Sequence, residues 1–185
     1  MSQRHRLVLS GSGGQGVITA AIILAEAAVL HEKRNAVQTQ VYGAAARGGA
    51  TRSDVIISDA VINYPKVSQP NILVCLTQEA YGKYAAIIRP GGVLITDACF
   101  VTTQCKVDAR QHELPMYASI MEQIGKPIVL NTCVMGAVIG LTGIVGLSSV
   151  EKVLEQRLPP AFIEMNRRAL RLGYELGSGR PPGQV

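Results

Sequence analysis

The chain contains no tryptophan, and aromatic residues make up only 4% of its 185 positions. That scarcity argues against single-stranded nucleic-acid binding, where bases stack on aromatic side chains. Charged residues are also few, at 17% against 48% hydrophobic, a balance that favours an extensive core or a subunit interface over disorder. The four cysteines, Cys75, Cys99, Cys105 and Cys133, form no Cys-x-x-Cys pair, and no histidine lies close to them in sequence. Neither zinc nor an iron–sulfur cluster is therefore expected on this chain. Without a recognisable signal peptide, the thiols read as reduced residues of a cytoplasmic protein, mostly buried as small hydrophobes.

A formal net charge of +5 is spread along the chain, from Arg4 and Arg6 to Arg167, Arg168 and Arg171, with no basic run. A solvated surface accounts for most of these residues. At Arg47, which stands beside glycines, a polyphosphate ligand or an acidic partner is the sharper alternative. The uncharged run from Asn131 to Leu147 approaches the length of a membrane span. It is interrupted by Asn131, Thr132 and Thr142 and lacks flanking basic anchors, so it reads as a buried helix packed closely through Gly136 and Gly140. The length suits one domain, residues 1–177, followed by a flexible tail over 178–185.

The stretch Leu7-Val8-Leu9-Ser10-Gly11-Ser12-Gly13-Gly14-Gln15-Gly16-Val17-Ile18 joins a short apolar strand to a long apolar helix. Gly11, Gly13 and Gly16 satisfy G-x-G-x-x-G, a pattern that combines a tight turn, close approach of backbone to ligand and close helix packing. Free N–H groups converging at a helix N-terminus suit a phosphate or another anion. The same glycines also suit a tight turn that holds no ligand.

Strands are expected at His5–Ser10, Ala36–Val41, Arg52–Ser58, Ile72–Thr77, Val93–Asp97 and Lys106–Glu113. Two shorter ones are expected at Val61–Tyr64, in a hairpin with the third, and at Pro127–Leu130. Helices are expected over 14–33, 79–88, 115–124 and 131–147, then after Ser148, and from Pro160 until Gly177 ends the last one. The alternation predicts a Rossmann-like, doubly wound, mostly parallel sheet with a helical C-terminal portion.

A dinucleotide site would want an Asp or Glu about twenty residues beyond the glycines to hold a ribose hydroxyl. The sequence offers Gln38, Thr39 and Gln40 there, which disfavours tight NAD binding. Arg47-Gly48-Gly49 has the ingredients of a second contact loop, a fixed donor fork beside flexible backbone; an ordinary turn with a solvated Arg fits equally. No nucleophile and base can be assembled: His5, His31 and His112 read as surface residues, Asp54, Asp59 and Asp97 border strands, and Asn131 reads as a helix N-cap.

In order along the chain, Gly11-Ser12-Gly13-Gly14-Gln15-Gly16-Val17-Ile18-Thr19-Ala20-Ala21, the Tyr42-Gly43 and Arg47-Gly48-Gly49-Ala50 steps, Asn131 before a Met-Gly-Ala helix, and Asn166, Ala169 and Gly173 resemble the gamma subunit of the 2-oxoacid:ferredoxin oxidoreductases. The same unit is found as a fused domain in single-chain pyruvate:ferredoxin oxidoreductase. Two positions depart from that pattern: Ala44 and Ala45 replace a Pro-Glu pair, and Asn71 replaces an Asp after Pro70. The resemblance implies a complex that converts a 2-oxoacid, coenzyme A and oxidised ferredoxin to an acyl-coenzyme A, carbon dioxide and reduced ferredoxin, with 2-oxoglutarate favoured as the oxoacid and pyruvate, branched-chain oxoacids and indolepyruvate left open. It implies that thiamine diphosphate, magnesium and the iron–sulfur clusters belong to thiamine-binding and ferredoxin-like partner subunits. This chain would then be a subunit not catalytic alone, without membrane or nucleic-acid contacts. Gly11, Gly13, Gly14, Gln15, Gly16, Arg47, Gly48 and Gly49 would be its contacts on the coenzyme A side or to another subunit. A freestanding nucleotide-dependent oxidoreductase and a coenzyme-A-binding regulator are the alternatives.

Overall fold

The computed structural model describes residues 4–41, 50–104 and 106–179. Six strands form one sheet: β1 (Arg4–Gly11), β2 (Asn35–Val41), β3 (Thr51–Ser58), β4 (Ile72–Cys75), β5 (Gly92–Asp97) and β6 (Ala109–Leu114), in the spatial order β2-β3-β1-β4-β5-β6. β1, β4, β5 and β6 pair in parallel, whereas β3 lies antiparallel to both its neighbours, β1 and β2. The sheet is thus mostly parallel, with β3 alone running against the others.

Side chains alternate across this sheet as pleating requires. Leu7, Leu9, Val55, Ile57, Ile72, Val74, Val93 and Ile95 face one layer of helices. Val8, Ile56, Leu73, Cys75 and Leu94 face the other. Because both faces are covered, the central strands read as unbroken apolar runs. The first layer holds α1 (Val17–Glu26), which continues as a π-helical turn over Ala27–His31, and then α3 (Met116–Gln123), α4 (Leu130–Thr142), α5 (Leu147–Arg157) and α6 (Pro160–Ser178). The second layer is α2 (Gln78–Tyr84), which buries Ala80, Tyr81 and Tyr84. Helices on both faces make the fold doubly wound, with the C-terminal helices gathered on one side.

Three expectations change. Val61–Tyr64 joins no strand: both edges of β3 are already taken by β1 and β2, Ser58 ends the strand by accepting from the Ala60 N–H at 3.1 Å, and Val61 and Tyr64 stay exposed. Pro127–Val129 is a 3₁₀ turn leading into α4; proline at the first helical position has a preset φ and no N–H to lose. Gly177 does not stop α6, which runs to Ser178.

Gly177 instead belongs to a close backbone contact between α4 and α6. Gly136 and Gly140 of α4 lie against the α6 backbone at Leu170, Tyr174 and Ser178, and Gly173 and Gly177 of α6 lie against the α4 backbone at Cys133 and Ala137. A Cβ built on Gly136 would fall 2.0 Å from the Leu170 carbonyl oxygen, and one on Gly173 would fall 1.9 Å from that of Cys133. The uncharged α4 is therefore a core helix, with Cys133, Met135, Ala137 and Val138 fully buried. Among the described residues no helix is long and apolar enough to cross a membrane.

Gly173→Ala should destabilise the protein by about 1–3 kcal/mol, because neither backbone can yield. Gly82→Ala in α2, where a Cβ meets nothing within 4 Å, should be neutral or stabilising by up to about 1 kcal/mol. Urea unfolding of the two variants checks this; equal effects would show that the helix pair tolerates separation.

Candidate functional site

β1 delivers the glycine loop to the C-terminal edge of the parallel strands, where the chain's path turns from the β3 side to the β4 side. Ligands of open α/β sheets bind at such a switch point. The loop is held by Gln15. Its Oε1 accepts from the Ser12 N–H at 2.8 Å, and its Nε2 reaches the Leu76 carbonyl oxygen, just past β4, at 3.5 Å. Gly11 leaves room for that side chain, since a Cβ there would lie 2.4 Å from Gln15 Oε1. Gly14 and Gly16 have φ of 89° and 71°, the left-handed region that favours glycine.

Gly16 is also the residue before α1, and no side chain caps that helix. The N–H groups of Val17, Ile18 and Thr19 have no carbonyl within the helix to bond. Gly16 packs on Asn131, whose Nδ2 would be 2.7 Å from a Cβ at that position. Gly13 and Gly14 are exposed, and a Cβ at either would meet no heavy atom within 4 Å.

Two clefts share the loop as a common wall. One, of about 510 Å³, is lined by Gly14, Gln15, Gly16, Phe100, Tyr117, Ile128 and Asn131, among others. Phe100 and Tyr117 meet edge to face at 4.8 Å between centroids, and Ile128 is 77% exposed. The other, of about 270 Å³, runs from Ser12 and Gly13 over the first turn of α1 to Thr51. Uncapped N–H groups beside an apolar, aromatic wall suit a ligand with both an anionic and an apolar part. The sequence pointed to the glycines of both clefts but not to Phe100, Tyr117 and Ile128, which carry no motif and come from loops and helix ends far along the chain.

Arg47, Gly48 and Gly49 lie outside the described residues. Their segment is flanked by β2 and β3 at the glycine-loop end of the sheet: Val41 pairs with Arg52, and Thr51 pairs with Gly11. Gln38, Thr39 and Gln40 are in β2, and β3 separates them from β1. Gln38 donates to Ser53 Oγ at 2.7 Å.

The carboxylates near the strand ends are engaged. Asp97 is fully buried, accepting from the N–H of Cys99 at 2.9 Å and of Tyr117, in the first turn of α3, at 2.8 Å. Burial pushes its pKa up, against the pull of those N–H donors. Asp54 is gripped by Arg52 at 2.6 and 2.9 Å, and Asp59 by Arg34 at 3.0 Å. His5 is buried at the start of β1, far from the loop, and is not the surface residue its sequence position suggests. Asn131 is not the cap of α4, since Val129 holds that place; its Oδ1 accepts from the Thr132 N–H at 2.9 Å. Among the described residues no three His, Cys, Asp or Glu side chains gather as a metal site.

This sheet order, with a glycine loop at its switch point and a helical layer behind it, defines a Rossmann-like α/β protein. Residues 6–176 match the pyruvate ferredoxin/flavodoxin oxidoreductase family, and the chain belongs to it as a member of the 2-oxoacid oxidoreductase gamma-subunit group. It is 44% identical over 178 residues to the 2-oxoglutarate synthase subunit KorC of Methanocaldococcus jannaschii, covering 95% of each chain. The keto/oxoacid ferredoxin oxidoreductase gamma subunit of Geobacter sulfurreducens has a similar structure, with a TM-score of 0.85 and 39% identity, covering 95% of this chain and 99% of that one. The 2-oxoglutarate:ferredoxin oxidoreductase of Magnetococcus marinus, solved with 2-oxoglutarate, coenzyme A and succinyl-CoA bound, shares the fold at a TM-score of 0.83 and 18% identity; the match spans 97% of this chain and 32% of that one.

Asp97 gives a test of the site's electrostatics. Its folded pKa is raised, so the native state binds its proton more tightly than the unfolded chain, and stability falls as pH rises through the folded value. The stability of the wild type relative to Asp97→Asn should therefore improve as pH drops from about 7 towards about 4. Chemical denaturation of both across that range checks the sign; a flat difference would mean that Asp97 carries no desolvation penalty.

Proposed function

We propose that this chain is the gamma-type subunit of a 2-oxoglutarate:ferredoxin oxidoreductase and helps to form the coenzyme A side of its active site. The single observation that carries the proposal is the glycine loop standing between two clefts at the uncapped start of α1. In this assignment the N–H groups of the loop and of the first turn of α1 bind phosphate oxygens of coenzyme A, helped by the helix dipole. Phe100, Tyr117 and Ile128 offer an apolar surface to the rest of the molecule. Arg47, Gly48 and Gly49 contribute from the segment that leads to Thr51, the register partner of Gly11.

Thiamine diphosphate, magnesium and iron–sulfur clusters are assigned to partner subunits, as is contact with ferredoxin. Thiamine diphosphate supplies the decarboxylation chemistry there. The residues of this chain hold and orient coenzyme A, so their contribution is binding and positioning. The preference for 2-oxoglutarate is supported by the 44% identity to a 2-oxoglutarate synthase subunit. A freestanding nucleotide-dependent oxidoreductase is supported less well, because β3 moves the ribose-reading position of β2 one strand away from the glycine loop.

The test is reconstitution with the neighbouring thiamine-binding and ferredoxin-like subunits. Gly13→Val, placed where a side chain meets open space, should leave assembly intact and raise KM for coenzyme A about tenfold or more, with kcat changed less than about twofold. An unchanged KM in a fully assembled complex would sink the coenzyme A assignment. Activity from the chain without partners would sink the subunit assignment.

A further inference from the structure

At the opposite end of the strands from the glycine loop, a cleft of about 380 Å³ opens between the starts of β1, β4, β5 and β6 and the end of α4. His5, Asn71, Arg89 and Arg110 supply its polar side chains, together with Thr142. Among the described residues no acidic side chain lines it, and neither Arg89 nor Arg110 makes an ion pair. Arg110 is opposite Val93 in the β5–β6 register, and Val93 and Ile72 are opposite each other in β4–β5, so one face of the sheet carries the cleft floor from Arg110 towards β1. The Oδ1 of Asn71 is taken by the Arg6 N–H at 2.6 Å, which leaves the NH₂ of that amide as the group available to a ligand.

One buried polar atom of the cleft lining has no partner. His5 is 8% exposed, and its Nε2 makes no hydrogen bond, while Arg34 acts on the ring electrostatically from outside the lining. Buried polar atoms are ordinarily satisfied, so the unpartnered Nε2 of His5 in a polar cleft marks a place for a polar guest. The carbonyl end of α4 brings partial negative charge to the rim, and Arg34 donates to the Ile144 carbonyl oxygen just beyond that end at 2.7 Å.

We propose that this cleft is a binding site for a phosphoryl-bearing small molecule, gripped by Arg89 and Arg110 with Asn71 and His5 completing the contacts. Guanidinium forks match the geometry of phosphate oxygens. Arg34 and Asp59 both act electrostatically on His5, which lines the cleft. Burial, then Arg34, holds its pKa below the ordinary value, with Asp59 opposing. An anion in the cleft adds negative charge beside the ring and raises that pKa, so binding tightens as pH falls.

Inorganic pyrophosphate is the test ligand, titrated into the full chain by calorimetry while the His5 ring is followed by NMR, its signal assigned with His5→Gln. The Gly13→Val background removes binding at the glycine loop, so that failure there and failure here are separable. The expected result is a Kd of about 1 mM or tighter, an upward-shifted His5 titration, and at least about tenfold weaker binding in Arg89→Ala and in Arg110→Ala. Both arginines are exposed, and an unchanged melting temperature will show that the variants fold. Absence of binding at about 10 mM, or pyrophosphate that leaves His5 unmoved and binds the arginine variants equally well, would overturn the site. Citrate binding as tightly as pyrophosphate would overturn the phosphoryl assignment.

Discussion

The backbone contact between α4 and α6 fixes much of the rest of the molecule. Gly136, Gly140, Gly173 and Gly177 each lie against the backbone of the opposite helix, with no side chain of their own to hold the two apart, so the helix pair has one depth and one register. That register sets Thr132 beside Asn166, whose Oδ1 accepts from the threonine hydroxyl at 2.7 Å while its Nδ2 donates to the Phe162 carbonyl oxygen at 2.9 Å. Asn131, the preceding residue, is thereby held against Gly16, and the 3₁₀ turn before it presents Ile128 to the larger cleft. A contact made deep in the helical layer thus determines the distance between the two walls of the glycine-loop site.

A second constraint comes from β3. A Rossmann-like sheet ordinarily puts the second strand next to the first, so that its end reads the ribose of a dinucleotide. Here an antiparallel strand occupies that place, and the spacing between neighbouring strands, about 4.8 Å, is added between the loop and β2. The same insertion has a positive effect. Because β3 runs against β1, its beginning and the end of β2 both lie at the glycine-loop edge, with Thr51 opposite Gly11. Thr51 is therefore beside the loop and Val41 is one strand further out, although both are far from the loop in sequence.

Much of this was legible in the residues because local chemistry and the fold agree. The apolar runs Ile72–Thr77 and Val93–Asp97 announced the buried strands β4 and β5, and the glycines before Val17 announced the turn into α1. The errors arose where tertiary surroundings decided. Val61–Tyr64 has strand-like composition but no free edge to join. Pro127–Val129 is apolar enough for a strand, yet proline preorganises a helical start. Gly177 reads as a stop signal until its contact with Ala137 is seen, and a helix-ending glycine and a helix-packing glycine are the same letter. Phe100, Tyr117 and Ile128 were invisible as a group because only folding brings them together.

The titratable groups show how the chemical capacity of the glycine-loop clefts is distributed. Asp97 holds the start of α3 and the turn after β5, Asp54 answers Arg52, and His5 is at the far end of β1. Among the described residues lining the two clefts there is no carboxylate, histidine or cysteine. What the chain presents instead is main-chain N–H, the amides of Gln15 and Asn131, and aromatic surface, groups that bind and orient without exchanging protons near neutral pH. Their effectiveness depends on being held still, and the Gln15 bridge from Ser12 to Leu76 does this by tying the loop after β1 to the loop after β4. The rigid part of the site is therefore built from backbone that two adjacent parallel strands position together, and a substitution that loosens either strand acts on the site without touching it.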